Sequence, residues 1–249
     1  MPSAASPYAR VILKISGESF ARSGESGIDP TQLAHIAKEI VDAAAGETQI
    51  AVVVGGGNMV RGAQLAGRGN IDRSTADYMG MIATIINGLA LREALIGLGR
   101  ESRLMTALDI PAIGEPFIRA RALRHFEKGR VLVLAAGTGN PYFTTDTCAA
   151  LRGAELNADV LLKATKVDGV YTADPHADPA AKRYTRLTFA EAIEKQLAVT
   201  DLTALTMCME NELPVIVFDF GTPGNIRRVI GGERIGTLIT TQADGGPGS

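Results

Sequence analysis

The chain alternates between short, continuous runs of apolar residues and longer stretches with helical periodicity. Continuous runs rich in β-branched residues are typical of parallel strands covered on both faces, because a strand with one exposed face alternates polar and apolar residues. The strand candidates are Ala9–Ile15, Ile50–Val54, Arg103–Ala107, Arg130–Ala135, Val160–Lys163, Val215–Phe218 and Thr237–Thr241. This pattern predicts an α/β fold, a three-layer α/β/α sandwich with a mainly parallel central sheet.

Two helices are signalled clearly by their sequences. Asp29 is a suitable N-cap, Pro30 suits the first helical position, and Gln32 completes a capping-box pattern. A second helix, from about Ser74 to Gly97, is apolar on nearly all sides. Such a helix is expected either in the core or buried between subunits.

The chain has 249 residues, of which 46% are hydrophobic, so it is long enough to bury a full core. No linker, repeat or shift in composition marks an internal boundary, and we expect a single domain over residues 9–241. Residues 1–8 and 242–249 are expected to be tails, as is common at chain ends.

Charge and cysteine content exclude several classes of partner. The formal net charge is −2, without the excess of basic residues that nucleic acids or anionic membranes attract, so we expect neither partner. Apolar runs are too short to span a membrane, and no signal-peptide pattern opens the chain. The two cysteines lack metal-binding spacing, so we expect no metal ligands from the protein, reduced thiols and a cytoplasmic location.

The segment from Gly137 to Asp146 carries the strongest functional signal. It follows an apolar run and leads into an alanine-rich helical stretch. A strand that ends in Gly-x-Gly and turns into a helix exposes backbone N–H groups that suit a phosphate. Thr144, Thr145 and Asp146 are placed to cap the helix or to contact a ligand. Taken alone, the segment also fits an ordinary strand-to-helix connection with N-cap threonines.

Two earlier strand ends also suit an anion. Lys14 lies inside an apolar run, which is unfavourable unless its ammonium meets a negative charge, and the small residues Ser16 and Gly17 follow it. The glycines 55–57 would let the backbone lie against a ligand, and the Arg61 guanidinium matches phosphate oxygens. The alternatives are a strand-end lysine that reaches water and a flexible turn with a solvated arginine.

A fourth segment, Lys163 to Pro175, follows another predicted strand. Tyr171 is suited to pack along a base and Asp174 to accept hydrogen bonds from ribose or amino groups, although a charged β-turn explains the same pattern. Neither G-x-x-x-x-G-K-[ST] nor G-x-G-x-x-G occurs in the chain, which argues against P-loop and standard dinucleotide sites. Because the carboxyl ends of parallel strands share one edge, the four segments together predict phosphoryl transfer.

These blocks resemble the bacterial uridylate (UMP) kinases of the amino acid kinase superfamily, over about Arg10 to Thr241. The matching blocks are Lys14 to Glu18, Gly55 to Asn58, Asp77 before Met79-Gly80-Met81, Gly137 to Asp146, and Lys163 to Pro175. The resemblance implies the amino acid kinase fold and ATP-dependent phosphorylation of UMP to UDP in pyrimidine nucleotide biosynthesis.

The resemblance also implies roles for individual residues. Lys14 and Asp146 would be catalytic, with Asp146 organising the catalytic lysines rather than acting as a base. The implied ATP-binding residues are Lys14, Ile15, Ser16, Gly17, Gly57, Arg61, Lys163, Thr165, Tyr171 and Asp174. The implied UMP-binding residues are Gly56, Asp77, Thr138, Gly139, Asn140, Pro141, Tyr142, Phe143, Thr144 and Thr145, with Asp77 on the ribose hydroxyls. Mg²⁺ would arrive with ATP and bridge its phosphates.

Regulation and assembly are implied by the same resemblance. The family is typically homohexameric, activated by GTP and inhibited by UTP, and Arg92, Arg103 and Arg130 match its GTP-contacting arginines. Ile96 and Arg119 stand where some members have His and Trp. On residue chemistry alone, the three arginines also fit ordinary salt bridges with nearby acids, namely Glu93, Glu101 or Glu127.

Two other functions fit parts of the pattern. One is a kinase of the same superfamily with another phosphate or carboxylate acceptor, against which Asp77 and the block 138–145 argue. The other is a non-catalytic nucleotide- or anion-binding protein, which would be expected to have lost the charged groups that this chain has. Those groups are Lys14, Arg61, Asp146 and Lys163.

Overall fold

The computed structural model describes residues 6–60, 71–175, 177–178, 180–197 and 199–242. The strands are β1 (Arg10–Ile15), β2 (Gln49–Val54), β3 (Ser102–Thr106), β4 (Glu115–Pro116), β5 (Val131–Ala135), β6 (Val160–Thr165), β7 (Arg186–Thr188), β8 (Val215–Asp219) and β9 (Thr237–Thr240). The helices are α1 (Pro30–Ala43), α2 (Arg73–Gly97), α3 (Arg119–Glu127), α4 (Thr145–Glu155), α5 (Phe189–Glu194), α6 (Leu202–Glu210) and α7 (Asn225–Ile230), and a short 3₁₀ helix covers Gly17–Phe20.

In the described part of the chain, the strands form one sheet in the order β4-β3-β5-β2-β1-β6-β8-β9-β7. Every neighbouring pair is parallel except β8 and β9. The mainly parallel sheet predicted from the apolar runs is therefore confirmed, and each of the seven predicted strands is present. Strands β4 and β7 were missed because two or three residues are too few to form a recognisable apolar run.

Two hydrophobic clusters cover the two faces of the sheet, which confirms the three-layer arrangement. One contains residues of α1, α2 and α7, and the other contains residues of α3, α4 and α6. Strand β1 contributes Val11, Leu13 and Ile15 to the first cluster and Ile12 to the second. By this alternation Lys14 lies on the face that α4 covers.

Helix α1 begins where the sequence predicts. One carboxylate oxygen of Asp29 accepts the backbone N–H groups of Thr31 and Gln32, at 2.9 and 3.0 Å, and Pro30 occupies the first turn. Those amides have no partner inside the helix, so the Asp29 carboxylate stabilises its first turn.

Helix α2 has the length and apolar composition of a membrane-crossing helix, but it packs on the sheet and on α1. Its inner face, including Met81, Ile85 and Leu91, is buried in the core. The opposite face exposes Ile82 and Ile86, about half of each side chain. One face of α2 thus belongs to the core, the first of the two predicted alternatives, and burial between subunits stays a prediction for the other face.

The packed part of the chain starts slightly before the expected domain boundary at residue 9. The Ser6 hydroxyl donates to the Ile230 carbonyl at 2.7 Å, and the Thr48 hydroxyl donates to the Tyr8 carbonyl at 2.9 Å. Residues 6–8 therefore contact the body of the fold, although we expected them to belong to a tail. The remaining tail residues, 1–5 and 243–249, lie outside the described part of the chain.

Candidate active site

Two lysines and one carboxylate meet at the centre of the sheet. Lys14 and Lys163 are paired directly in the register of β1 and β6. Asp146, in the first turn of α4, reaches both: its Oδ1 lies 2.9 Å from the Lys14 ammonium and its Oδ2 lies 2.7 Å from the Lys163 ammonium. All three side chains are less than a fifth exposed. We call these three residues the lysine–aspartate cluster.

The charges of the cluster favour the binding of an anion. Burial alone would raise the pKa of Asp146, but the two ammonium groups outweigh it and lower that pKa to about 2. Burial lowers the pKa of Lys163, and the attraction of Asp146 only partly offsets that effect. Two ammonium groups share one carboxylate, so one positive charge remains for a phosphate to neutralise.

The glycine turn after β2 is closely packed rather than loose. A Cβ on Gly55 would lie 2.6 Å from the Gly17 nitrogen, and one on Gly56 would lie 2.8 Å from the Gly80 carbonyl oxygen. A Cβ on Gly57 would meet no atom within 4 Å. Gly55 and Gly56 therefore allow two backbone segments to touch, whereas Gly57 borders open space beside them.

A buried asparagine pair that the sequence analysis missed fixes this turn. The Asn87 side chain donates to Asn58 Oδ1 at 2.7 Å and to the Gly55 carbonyl at 2.8 Å. The Asn58 side chain donates back to Asn87 Oδ1 at 3.1 Å and to the Gly27 carbonyl at 2.7 Å. The available signal was a single amide inside the apolar α2 sequence, because a buried amide must find hydrogen-bond partners.

A cavity of about 200 Å³ opens between α2, the glycine turn and the segment that follows β5. Of the predicted UMP-binding residues, it is lined by Gly56, Asp77, Thr138, Phe143, Thr144 and Thr145, together with Gly57 from the predicted ATP-binding set. Gly139, Asn140, Pro141 and Tyr142 belong to the same turn but do not line the cavity. Residues from both predicted sets therefore line one cavity, and UMP binding there stays a prediction.

Asp77 joins the two walls of the cavity. Its carboxylate accepts the Tyr142 backbone N–H at 2.9 Å and pairs with Arg73, whose Nε lies 3.0 and 2.9 Å from the two oxygens. The Arg73 guanidinium also lies over the Tyr142 ring, 5.7 Å from its centroid. These contacts hold an acceptor carboxylate at the cavity edge, where a hydroxyl of a ligand can donate to it.

The predicted ATP-binding residues lie on the neighbouring strand ends. The Thr165 hydroxyl donates to the Val167 carbonyl at 2.6 Å, and the Tyr171 hydroxyl donates to Asp168 Oδ1 at 2.7 Å. Ile15 is fully buried, so its side chain is not accessible to a ligand. Arg61 lies outside the described residues.

Ser16 and Asp174 complete that set. The Ser16 hydroxyl is the N-cap of the 3₁₀ helix, where it accepts the Glu18 N–H at 3.4 Å. Asp174 follows Tyr171 in the segment beyond β6, and its carbonyl accepts the N–H groups of residues 177 and 178.

The three arginines of the predicted effector site each face a glutamate. Arg92 pairs with Glu93 at 2.6 Å and Arg130 with Glu101 at 2.7 Å, as their residue chemistry also allowed. Arg103 pairs with Glu115, at a longer 3.9 Å. A groove of about 500 Å³ is lined by Arg92 and Arg103 but not by Arg130.

The fold and the site together suit a protein that binds phosphates. A parallel sheet with glycine turns at its strand ends, and a buried lysine pair around one carboxylate, is an arrangement suited to a run of phosphates. The sequence model of the Amino acid kinase family matches residues 9–219. The chain belongs to this family, as the sequence blocks indicated.

Three solved structures with similar folds are UMP or uridylate kinases. The crystal structure of UMP kinase from Bacillus anthracis is 38% identical, with a TM-score of 0.92 over 95% of this chain and 98% of that one. UMP kinase from Ureaplasma parvum is 37% identical, with a TM-score of 0.87 over 93% and 98%. Uridylate kinase from Archaeoglobus fulgidus is 31% identical, with a TM-score of 0.72 over 92% and 99%.

Proposed function

We propose that this chain transfers the γ-phosphoryl group of ATP to UMP, which yields ADP and UDP. The observation that carries the proposal is the lysine–aspartate cluster, next in sequence to the threonines that line the cavity. The similarity to UMP kinases over more than nine-tenths of the chain supports this acceptor over others in the family.

The cluster would act by charge rather than by proton transfer. Phosphoryl transfer passes through a loose transition state, so positioning and neutralisation supply most of the catalysis. Lys14 and Lys163 would neutralise the phosphates, and Asp146 would hold both ammonium groups in place. With a pKa of about 2, Asp146 is a poor base. No base is required, because the second pKa of a phosphate monoester is about 6 and UMP is largely ionised at neutral pH.

Two ligand sets follow for the substrates. ATP would lie against residues 14–17, Gly57, Arg61 and Lys163, with its adenosine near Thr165, Tyr171 and Asp174. UMP would occupy the 200 Å³ cavity, with its ribose hydroxyls donating to Asp77.

Mg²⁺ would enter this site with ATP. Among the described residues, no group of three or more His, Cys, Asp or Glu side chains is arranged to hold a metal ion. In kinases Mg²⁺ is commonly bound by one or two carboxylates together with the substrate phosphates, so the nucleotide would supply most of the ligands here. When bound, the ion neutralises charge on the β- and γ-phosphates.

An acceptor panel tests the proposal. ADP release should be fastest with UMP and slower with CMP and dUMP. Loss of the 2′-hydroxyl removes one hydrogen bond to the Asp77 carboxylate, and a hydrogen bond to a charged group contributes about 1.5–3 kcal/mol, or roughly ten- to hundredfold in kcat/KM. Comparable kcat/KM values for UMP and dUMP would contradict the placement of Asp77, whereas no turnover of UMP would contradict the function.

Regulation and assembly belong to the same proposal. GTP would activate and UTP would inhibit, with GTP phosphates in the groove beside Arg92 and Arg103. Arg130, the third predicted arginine, does not line this groove. Because each arginine faces a glutamate, a triphosphate would have to displace those carboxylates. The exposed apolar face of α2 suits contact with a second copy of the chain, in keeping with a homohexamer in the cytoplasm.

A further inference from the structure

Asp201 links α4, the helix that carries Asp146, to the neighbouring helix α6. It is the N-cap of α6, where its Oδ1 accepts the Ala204 N–H at 2.9 Å. The same carboxylate accepts two hydroxyls from the start of α4, Thr144 at 2.6 Å and Thr147 at 3.0 Å. One side chain therefore fixes the first turns of both helices.

The hydrogen-bonding capacity of the Thr144 hydroxyl is fully used inside the protein. A carboxylate can only accept, so Thr144 donates its single O–H to Asp201. Its oxygen accepts the backbone N–H groups of Asp146 at 3.0 Å and Thr147 at 3.1 Å, as the N-cap of α4. The hydroxyl thus positions the backbone of Asp146 and has no further capacity for a ligand.

The segment that contains Asp201 also contacts Lys163, the other end of the cluster. The Val199 carbonyl, two residues before Asp201, accepts the Lys163 ammonium at 2.7 Å. Residues 199–201 therefore contact Lys163 directly and Asp146 through Thr144. A displacement of about 1 Å in a catalytic group can lower a rate by about a hundredfold, so this double support matters for catalysis.

We propose that Thr144 and Asp201 are positioning residues that hold Asp146 between Lys14 and Lys163. This inference rests on the proposed function of the cluster and changes the role expected for the Thr144 hydroxyl from UMP ligand to support. Neither side chain is required to touch a nucleotide. Their loss should therefore impair the chemical step more than substrate binding.

The first test compares Thr144→Val, which removes the hydroxyl at nearly constant volume, with Thr144→Ser, which keeps it. The matched control is Thr188→Val, because Thr188 is also a helix N-cap, at α5, and accepts the Glu191 N–H at 3.1 Å. Strand β7, which ends at Thr188, is separated from β6 by β8 and β9, so this control loses a cap without touching the cluster.

Steady-state kinetics with ATP and UMP give the expected outcome. Thr144→Val should lower kcat by about ten- to hundredfold with both KM values within about threefold, whereas Thr144→Ser and Thr188→Val should keep kcat within about threefold. An unchanged kcat with a UMP KM raised tenfold or more would identify Thr144 as a UMP ligand and overturn the proposal. An equal loss of kcat in Thr188→Val would overturn it too, because the effect would be general destabilisation.

Combined variants test whether the effect passes through Asp146. If Thr144 and Asp201 act as one unit, Asp201→Asn should add little to the kcat loss of Thr144→Val. In an Asp146→Asn background, Thr144→Val should change kcat by less than about threefold, since no carboxylate remains to be positioned. Multiplicative losses in both combinations would contradict the proposal.

A crystal structure of Thr144→Val separates this inference from the proposed function. If the wild-type protein formed no UDP from ATP and UMP, the proposed function would be wrong. The comparison of the wild-type and Thr144→Val structures would still test the supporting role. We expect at least one Asp146–lysine contact to lengthen beyond about 3.5 Å in the variant. Contacts that keep their distances of 2.9 and 2.7 Å would overturn the supporting role.

Discussion

At the scale of single residues, the lysine–aspartate cluster shows what a sequence can and cannot predict. Lys14 was recognisable because a lysine inside an apolar strand requires an anionic partner. Its partner in the structure, Asp146, was placed there by the resemblance rather than by a pattern in the residues. The contact depends on the register of β1 and β6, which pairs Lys14 with Lys163 over a long separation in sequence.

The lowered pKa of Asp146 predicts how stability depends on pH. Its pKa is about 2 in the folded protein and near 3.8 in the unfolded chain, so the unfolded chain takes up the proton first as the pH falls. The ionised carboxylate thus contributes about 2 kcal/mol above pH 4, which is lost as the pH falls towards 2.

Urea denaturation of the wild-type protein and Asp146→Asn measures this contribution. The wild type should be more stable at pH 7, and the difference should shrink between about pH 4 and pH 2 as Asp146 becomes neutral. A difference in unfolding free energy that stays constant over that range would show that Asp146 has an ordinary pKa.

At the scale of elements, the glycine turn after β2 packs closely against other segments of the backbone. The sequence predicted that three glycines permit close approach, but it did not show that Gly55 and Gly56 face protein atoms while Gly57 faces open space. That distinction depends on tertiary packing, because Gly55 faces Gly17 after β1 and Gly56 faces Gly80 of α2. The buried Asn58–Asn87 pair links the same turn to α2.

Alanine substitutions at two adjacent glycines should therefore have different effects on stability. In Gly56→Ala the new Cβ would lie 2.8 Å from the Gly80 carbonyl oxygen, and backbone must move. We expect a loss of about 1–3 kcal/mol in unfolding free energy, against less than about 1 kcal/mol for Gly57→Ala. Urea midpoints at unchanged slope provide the measurement, and equal losses in the two variants would contradict the packing described.

The elements themselves followed from the sequence to different degrees. Buried strands such as β1 and β6 were predictable because a continuous apolar run is long enough to be recognised, although β6 extends to Thr165, beyond the predicted end. The short strands β4 and β7 depend on the neighbours that they pair with, β3 and β9. Tertiary pairing of this kind leaves no local pattern.

At the scale of the whole molecule, the groove lined by Arg92 and Arg103 borders β3 and β4, and β5 and β2 separate these strands from β1 and the cluster. This separation allows a test of regulation. GTP should raise turnover at subsaturating ATP or UMP, and Arg103→Ala should lose most of that activation. The coupling free energy between two sites is typically about 1–3 kcal/mol, which limits the activation by GTP to roughly five- to hundredfold.

The matched control for Arg103→Ala is Arg124→Ala, because Arg124 is exposed on α3 and does not line the groove. The ratio of rates with and without GTP should be preserved in Arg124→Ala. An equal ratio in the wild type and Arg103→Ala would remove Arg103 from the effector site and would leave the proposed reaction unaffected.

We infer that the lysine–aspartate cluster promotes the transfer of a phosphoryl group from ATP to UMP. The most direct test is a rapid-quench single turnover with [γ-³²P]ATP, Mg²⁺ and UMP, in the wild-type protein and in Lys14→Ala. We predict labelled UDP from the wild type and a chemical step slower by roughly 10²–10³ in the variant, the usual effect of losing one preorganised charged group. No labelled UDP from the wild type, or an equal rate in Lys14→Ala, would contradict the claim.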